Sequence, residues 1–198
     1  MPCPSKEFGP LFFHPEDNAE SRLDWFREKF IALRGELYEE QGERQAAQRI
    51  LELISGLPGF VQVQKHPLLE RLQSELPALR ERLAGSRALD CASPEYAQCA
   101  CGISGADSLL AQSGSIVLRS SAAGGRRLSV LPPFHIVVAA SSQLNGFVAP
   151  WFAGLQQDNS WSLASIISGP SRTADIEKIL VFGAHGPKRL ALVLVTGS

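Results

Sequence analysis

The sequence has few cysteines, no excess of either charge and no long apolar run. Its 198 residues contain four cysteines, too few for a disulfide scaffold, so a cytoplasmic protein with reduced thiols is the expectation. Cys91, Cys99 and Cys101 fall close together, but their spacing is neither a C-x-x-C half-site for zinc nor an iron–sulfur run, so no metal or cofactor bound by this chain is expected. Lys and Arg number 19 against 20 Asp and Glu, a net charge of -1, which argues against a nucleic-acid partner. No apolar stretch reaches the roughly 18 residues of a membrane span, and the start, Met-Pro-Cys-Pro-Ser-Lys-Glu, carries no secretory pattern.

What is present is unevenly spread. The first 90 residues hold 27 of the 39 charged side chains and 6 of the 17 glycines. A charged, glycine-poor part predicts amphipathic helices, and a glycine-rich, charge-poor part predicts buried strands and tight loops. The expectation is an N-terminal arm over 1–16 and one α/β domain over 17–198, helix-rich to residue 90 and sheet- and loop-rich from 91. Leu23, Phe26, Phe30 and Leu33 recur at helical spacing behind Asp17 or Asn18 as cap, giving a helix over about 18–34. Gly35 is read as its stop, a short strand is expected at 36–39, and Gly56 is read as the stop of a helix over 43–55. A strand at 59–63 and a helical stretch at 66–84 broken near Pro77 follow. Ser93-Pro94-Glu95 predicts a short helix start. Later strands are read at 115–119, 135–140, 163–167 and 190–195, with a turn at Gly124-Gly125 and a helix near 150–157. The last strand is apolar without interruption, which implies burial on both faces. Strands interleaved with helices predict a three-layer α/β fold with a largely parallel central sheet.

Four polar, glycine-rich segments carry the candidate chemistry. Residues 101–107 and 111–115 offer small residues and hydroxyls to a ligand, including Gly105 and Ser113. Asp107 there is either a base or a cap. Arg127, after a glycine turn, could clamp a carboxylate or phosphate, or be solvated. His135 opens a strand and is either an acid or ligand contact or a hydrogen-bonded core residue. Ser168–Lys178 concentrates Ser171, Arg172, Thr173, Asp175 and Glu177 behind a predicted strand, where α/β sheets bind ligands. His185, between two glycines, is a candidate general base, with Lys188 and Arg189 adding positive charge. Asp107, Asp175 and His185 are thus the candidate catalytic groups. One cleft is expected to gather these segments, with His185 its weakest member.

The strings GISGADSLLAQSGSIVL, RRLSVLPPFHIVV, ISGPSRTADIE and GAHGPKRL, in that order, resemble the lactate-utilisation protein C family, built on the LUD domain. The resemblance covers roughly residues 95–195 well and the helical part loosely. It implies a fold similar to the sugar-phosphate isomerase and CoA-transferase group. It also implies a role in oxidising L-lactate to pyruvate beside separate iron–sulfur subunits, which would carry the clusters. Where that family usually has Ala-Glu-Thr-Gly-Thr, this chain has Ala111-Gln112-Ser113-Gly114-Ser115. An amide at Gln112 cannot do the work of a carboxylate, whereas the serines keep the hydroxyls. Two alternatives to the partner-subunit reading are a stand-alone enzyme of isomerase or transferase type acting on an anionic metabolite, and a binding module without chemistry.

Overall fold

The computed structural model describes residues 18–84, 98–120, 127–148, 151, 161–174, 180–182 and 186–197. The expected arm over 1–16, the helix start at Ser93, the turn at Gly124-Gly125 and nearly all of the helix near 150–157 lie outside the described residues.

Helix α1 (Ala19–Ala32) is capped by Asn18, whose side chain accepts the Ser21 N–H at 2.9 Å. The helix ends on Arg34, which takes a left-handed φ of 66°. The next residue must be Gly35, because a Cβ there would land inside the Phe30 ring. Strand β1 (Glu36–Gln41) leads into α2 (Gly42–Ser55), then β2 (Phe60–Val63). Helices α3 (Pro67–Glu75) and α4 (Pro77–Leu83) each start on a proline, the position where its missing N–H is harmless.

Strand β3 (Cys99–Gly105) is followed by β4 (Ser108–Leu110), β5 (Ser115–Ser120), β6 (Phe134–Ala140), β7 (Leu144–Asn145) and β8 (Leu163–Ile167). Then come β9 (Arg172–Ala174), β10 (Leu180–Phe182) and β11 (Arg189–Thr196). Among the described residues, five strands form a wholly parallel sheet in the order β1-β11-β6-β3-β2. Four more form a second sheet, β7-β4-β5-β8, in which β5 runs antiparallel to both neighbours.

Alternation along the central strands sends side chains into two cores. On β11, Ala191, Val193 and Val195 face one way, against Ile50 and Ile54 of α2, Leu69 and Leu72 of α3 and Leu79 of α4. Leu190, Leu192 and Leu194 face the other, against Phe26 and Phe30 of α1 and Leu109, Ile116 and Leu118 of the second sheet. Residues 190–195 of β11 are buried on both faces, as the unbroken apolar run implied. The layers are therefore α2–α4, the parallel sheet, and α1 with the second sheet. No helix among the described residues is long and apolar enough to cross a membrane.

Two expectations need correction. Residues 101–105, read as a ligand-approaching loop, are a buried central strand. Their small side chains admit protein rather than ligand: a Cβ on Gly102 would collide with the Leu128 carbonyl, and one on Gly105 with the His66 ring. Strands 115–119 and 163–167 form where expected but belong to the second sheet, so the polar loop after Ile167 does not leave the C-terminal edge of the parallel sheet.

Candidate functional site

The polar segments divide between the two ends of the central strands. After β3 the chain passes Asp107 and descends through β4 to the Ala111–Gly114 turn. It climbs back along β5 and descends again along β8. Both descents end beside the C-terminus of α1, which is also where β1 begins. Gly114 (φ 61°) packs on that terminus, with an added Cβ falling 2.5 Å from the Phe30 nitrogen. Gly169 (φ 93°) does the same, 2.5 Å from the Leu33 carbonyl oxygen. Two left-handed glycines thus bring two turns against one helix end, an approach no side chain permits.

Their hydroxyls meet there. Ser113 Oγ donates to Ser115 Oγ at 2.8 Å, and Ser115 Oγ is 2.8 Å from Ser168 Oγ. Ser113 is half-buried, Ser115 buried and Ser168 exposed, so the row passes through the core at Ser115 and reaches the surface at Ser168. From Ser168 the chain continues to Ser171, whose N–H donates to the Pro187 carbonyl at 2.9 Å; the Lys188 N–H donates to the Pro133 carbonyl at 2.8 Å. Pro133 and Lys188 immediately precede β6 and β11. Ser113, Ser171, Arg172 and Lys188 therefore share the N-terminal edge of the parallel sheet. Arg127 opens the turn that runs to Pro133, its carbonyl accepting from Val130 and Leu131. Arg172 and Lys188 are exposed. Gln112 is exposed as well, its N–H donating to the Gly146 carbonyl at 2.9 Å. Thr173 pairs with Val181 in the small β9–β10 ribbon.

Gly105 and Asp107 lie at the opposite edge. Gly105 is in register with Val138, five residues along β6 from Pro133, a separation of roughly 17 Å at 3.3 Å per residue. Asp107 accepts the Arg119 backbone N–H and, at 3.0 Å, its guanidinium Nε–H. The carboxylate expected as base or cap instead clamps the β4–β5 hairpin. The described candidate residues thus gather at two edges and not in one cleft, because β8 belongs to the second sheet and runs against the central strands.

His135 is fully buried in the second position of β6, its Nε2 2.8 Å from Ser104 Oγ. Its Nδ1 has no partner among the described residues. An uncovered lone pair is better tolerated than an uncovered N–H, which favours the tautomer with Nε2–H donating to Ser104. Loss of hydration lowers the imidazole pKa to about 3. His135 is a neutral core residue with a hydrogen bond. Asp175, Glu177 and His185 lie outside the described residues.

The nearby Arg189, read from sequence only as positive charge beside Lys188, is an ion-pair partner. It forks onto Glu36 with two bonds of 2.9 Å and lies 4.1 Å from the Phe134 ring centroid. The Arg189 guanidinium holds the Glu36 carboxyl below its ordinary value. His66 was missed from sequence; its place behind a strand and before Pro67, at a helix start, was the available signal. Cys99 and Cys101 are buried in β3, where burial pushes both thiols up, the opposite of what a thiolate ligand needs.

The LUD domain family model matches residues 16–195. YkgG of Escherichia coli K12, an uncharacterized protein, is 31% identical over 191 residues, covering 90% of this chain and 81% of that protein. Lactate utilization protein C of Halalkalibacterium halodurans is 35% identical over 133 residues, 63% of this chain and 54% of the relative. That of Shouchella clausii is 37% identical over 98 residues, 48% of this chain and 43% of the relative. The matches thus span about half the length of these two relatives. A solved structure, a duf162 family protein from Deinococcus radiodurans, superposes with a TM-score of 0.64 at 19% identity, covering 91% of this chain and 99% of that one, a likeness of fold. The chain belongs to the LUD-domain family, with lactate utilization protein C sequences among its relatives.

Proposed function

We propose that this chain is a cytoplasmic lactate-utilisation subunit that binds a small anionic metabolite and works beside separate iron–sulfur polypeptides. Oxidising lactate to pyruvate removes two electrons and two protons, and the electrons need a redox centre. In this reading the partners supply it, and this chain contributes the metabolite-binding surface at the N-terminal edge of its parallel sheet.

One observation carries the reading: the described acid–base candidates are committed to structure. Asp107 is held by Arg119, and His135 is neutral and sealed in the core. The names of the lactate utilization protein C relatives support the lactate-utilisation role. The serine row, with Ser171, Arg172 and Lys188 beyond it, offers donors suited to a carboxylate. Isolation of the chain from its native cells tests this. The expected result is co-purification with polypeptides that hold iron and acid-labile sulfide. Isolation without such polypeptides, together with turnover of an anionic metabolite by the chain alone, would replace it with the stand-alone enzyme reading.

A further inference from the structure

At the C-terminal edge of the parallel sheet, His66 joins α3 to β3. As N-cap of α3 it accepts the Leu68 N–H on Nδ1 at 3.3 Å. Only an unprotonated Nδ1 can accept, so this bond requires the neutral ring with its proton on Nε2. The ring is half-buried over Gly105, where any Cβ would overlap it. Gln64 steadies that glycine: its Oε1 accepts the Gly105 N–H at 3.1 Å, and its own N–H donates to the Ile103 carbonyl at 2.8 Å.

The charges facing the ring come from two elements. Asp107, beyond β3, favours a proton on the ring. On α3, Glu70 favours it and Arg71 opposes it. Asp107 is itself held by Arg119, which spans from β5. Two arrangements therefore compete for one imidazole. A neutral ring caps α3. A charged ring cannot accept the Leu68 N–H and is repelled by the positive end of the helix, but is drawn towards Asp107.

We propose that His66 is a proton-operated catch: neutral, it fastens the first turn of α3 to the sheet; protonated, it leaves Leu68 and turns its charge to Asp107, in competition with Arg119. The turn it releases, with Pro67, Glu70 and Arg71, borders an open groove of about 460 Å³ shared with Glu43 of α2. Acidification thereby loosens one wall of that groove and, through Asp107, the clamp on the β4–β5 hairpin. Burial lowers the His66 pKa, so the catch stays fastened at neutral pH and opens on acidification.

The test is hydrogen exchange of the Leu68 amide and NMR titration of the His66 ring, from pH 8 to pH 5, in the full chain. In the wild type, Leu68 protection corrected for intrinsic exchange should fall about fivefold, the factor for one N-cap bond of about 1 kcal/mol, with the same midpoint as the ring. His66→Asn keeps a cap that does not titrate, and its Leu68 protection should stay flat. Asp107→Asn should move the ring's midpoint to lower pH. Added salt should do the same in the wild type by screening Asp107, which covers a variant that fails to fold. A flat wild-type profile, a fall that persists in His66→Asn, or a midpoint indifferent to both salt and Asp107→Asn would overturn the proposal.

Discussion

Acidifying the protein from pH 7.5 to pH 5 should cost about 2 kcal/mol of stability through His135 alone. The folded ring has a pKa lowered to about 3 by complete burial, while the unfolded chain restores a value near 6.5. A depressed base stays neutral in the fold, so its contribution is intact above pH 6.5. Below that, the unfolded chain takes a proton the folded chain refuses, and stability declines until about pH 3. At pH 5 the unfolded ring is more than nine-tenths protonated, and RT times the logarithm of its binding polynomial is about 2 kcal/mol. Any folded value below about 4 gives nearly the same loss, because the buried ring is then still mostly neutral at pH 5. The assay is urea unfolding at both pH values in a His66→Asn background, which removes the other described histidine with a lowered pKa. Comparison is with the same background carrying Ser104→Ala and His135→Leu, which takes away the titrating ring and its partner together. Other groups titrate in both proteins and cancel. The double substitution should shrink the acid loss by about 2 kcal/mol. An equal loss in both proteins, or a His135 ring that titrates above pH 5 in the folded state, would refute the reasoning.

Other substitutions probe the rest of the architecture. Gly169→Ala meets both a left-handed φ of 93° and the Leu33 carbonyl oxygen at 2.5 Å, so it should lower stability by about 2 kcal/mol in urea unfolding. Ser115→Ala interrupts the serine row next to a buried turn and should cost about 1 kcal/mol without changing the circular dichroism spectrum. Arg189→Ala removes the Glu36 fork and the stacking on Phe134; because the pair is partly exposed, the loss should stay near 1 kcal/mol and shrink in high salt. Lys188→Ala should leave the melting temperature almost unchanged while weakening lactate or pyruvate binding measured by calorimetry; equal loss of both would make Lys188 structural.

The layers were legible where periodicity was clean. Phe26 and Phe30 at helical spacing, the proline at residue 77 and the unbroken apolar run before Thr196 each mark an element the structure contains. Glycine density misled at 101–105. In a one-dimensional reading, small residues suggest a loop open to ligand. Here they are small because Leu128 and His66 press on a buried strand. Nor could local pattern assign β5 and β8 to a second sheet, since an apolar strand looks alike in either sheet and direction is fixed only by pairing. That ambiguity separated Asp107 from Ser171, whereas Ser113 and Ser168, 55 residues apart in sequence, are linked through Ser115. The roles of Arg189, read only as added charge, and of His66, not read at all, were hidden because their partners, Glu36 and Gly105, are distant in the chain and neither pairing leaves a local motif.

The most direct measurement is lactate-dependent reduction of an artificial electron acceptor by the purified chain, alone and recombined with the iron–sulfur polypeptides proposed as its partners. Lactate should yield no reduction with the chain alone. It should yield pyruvate with the recombined set, and lose that activity when this chain is left out. Steady turnover by the chain alone, or full activity of the iron–sulfur polypeptides without it, would contradict the account.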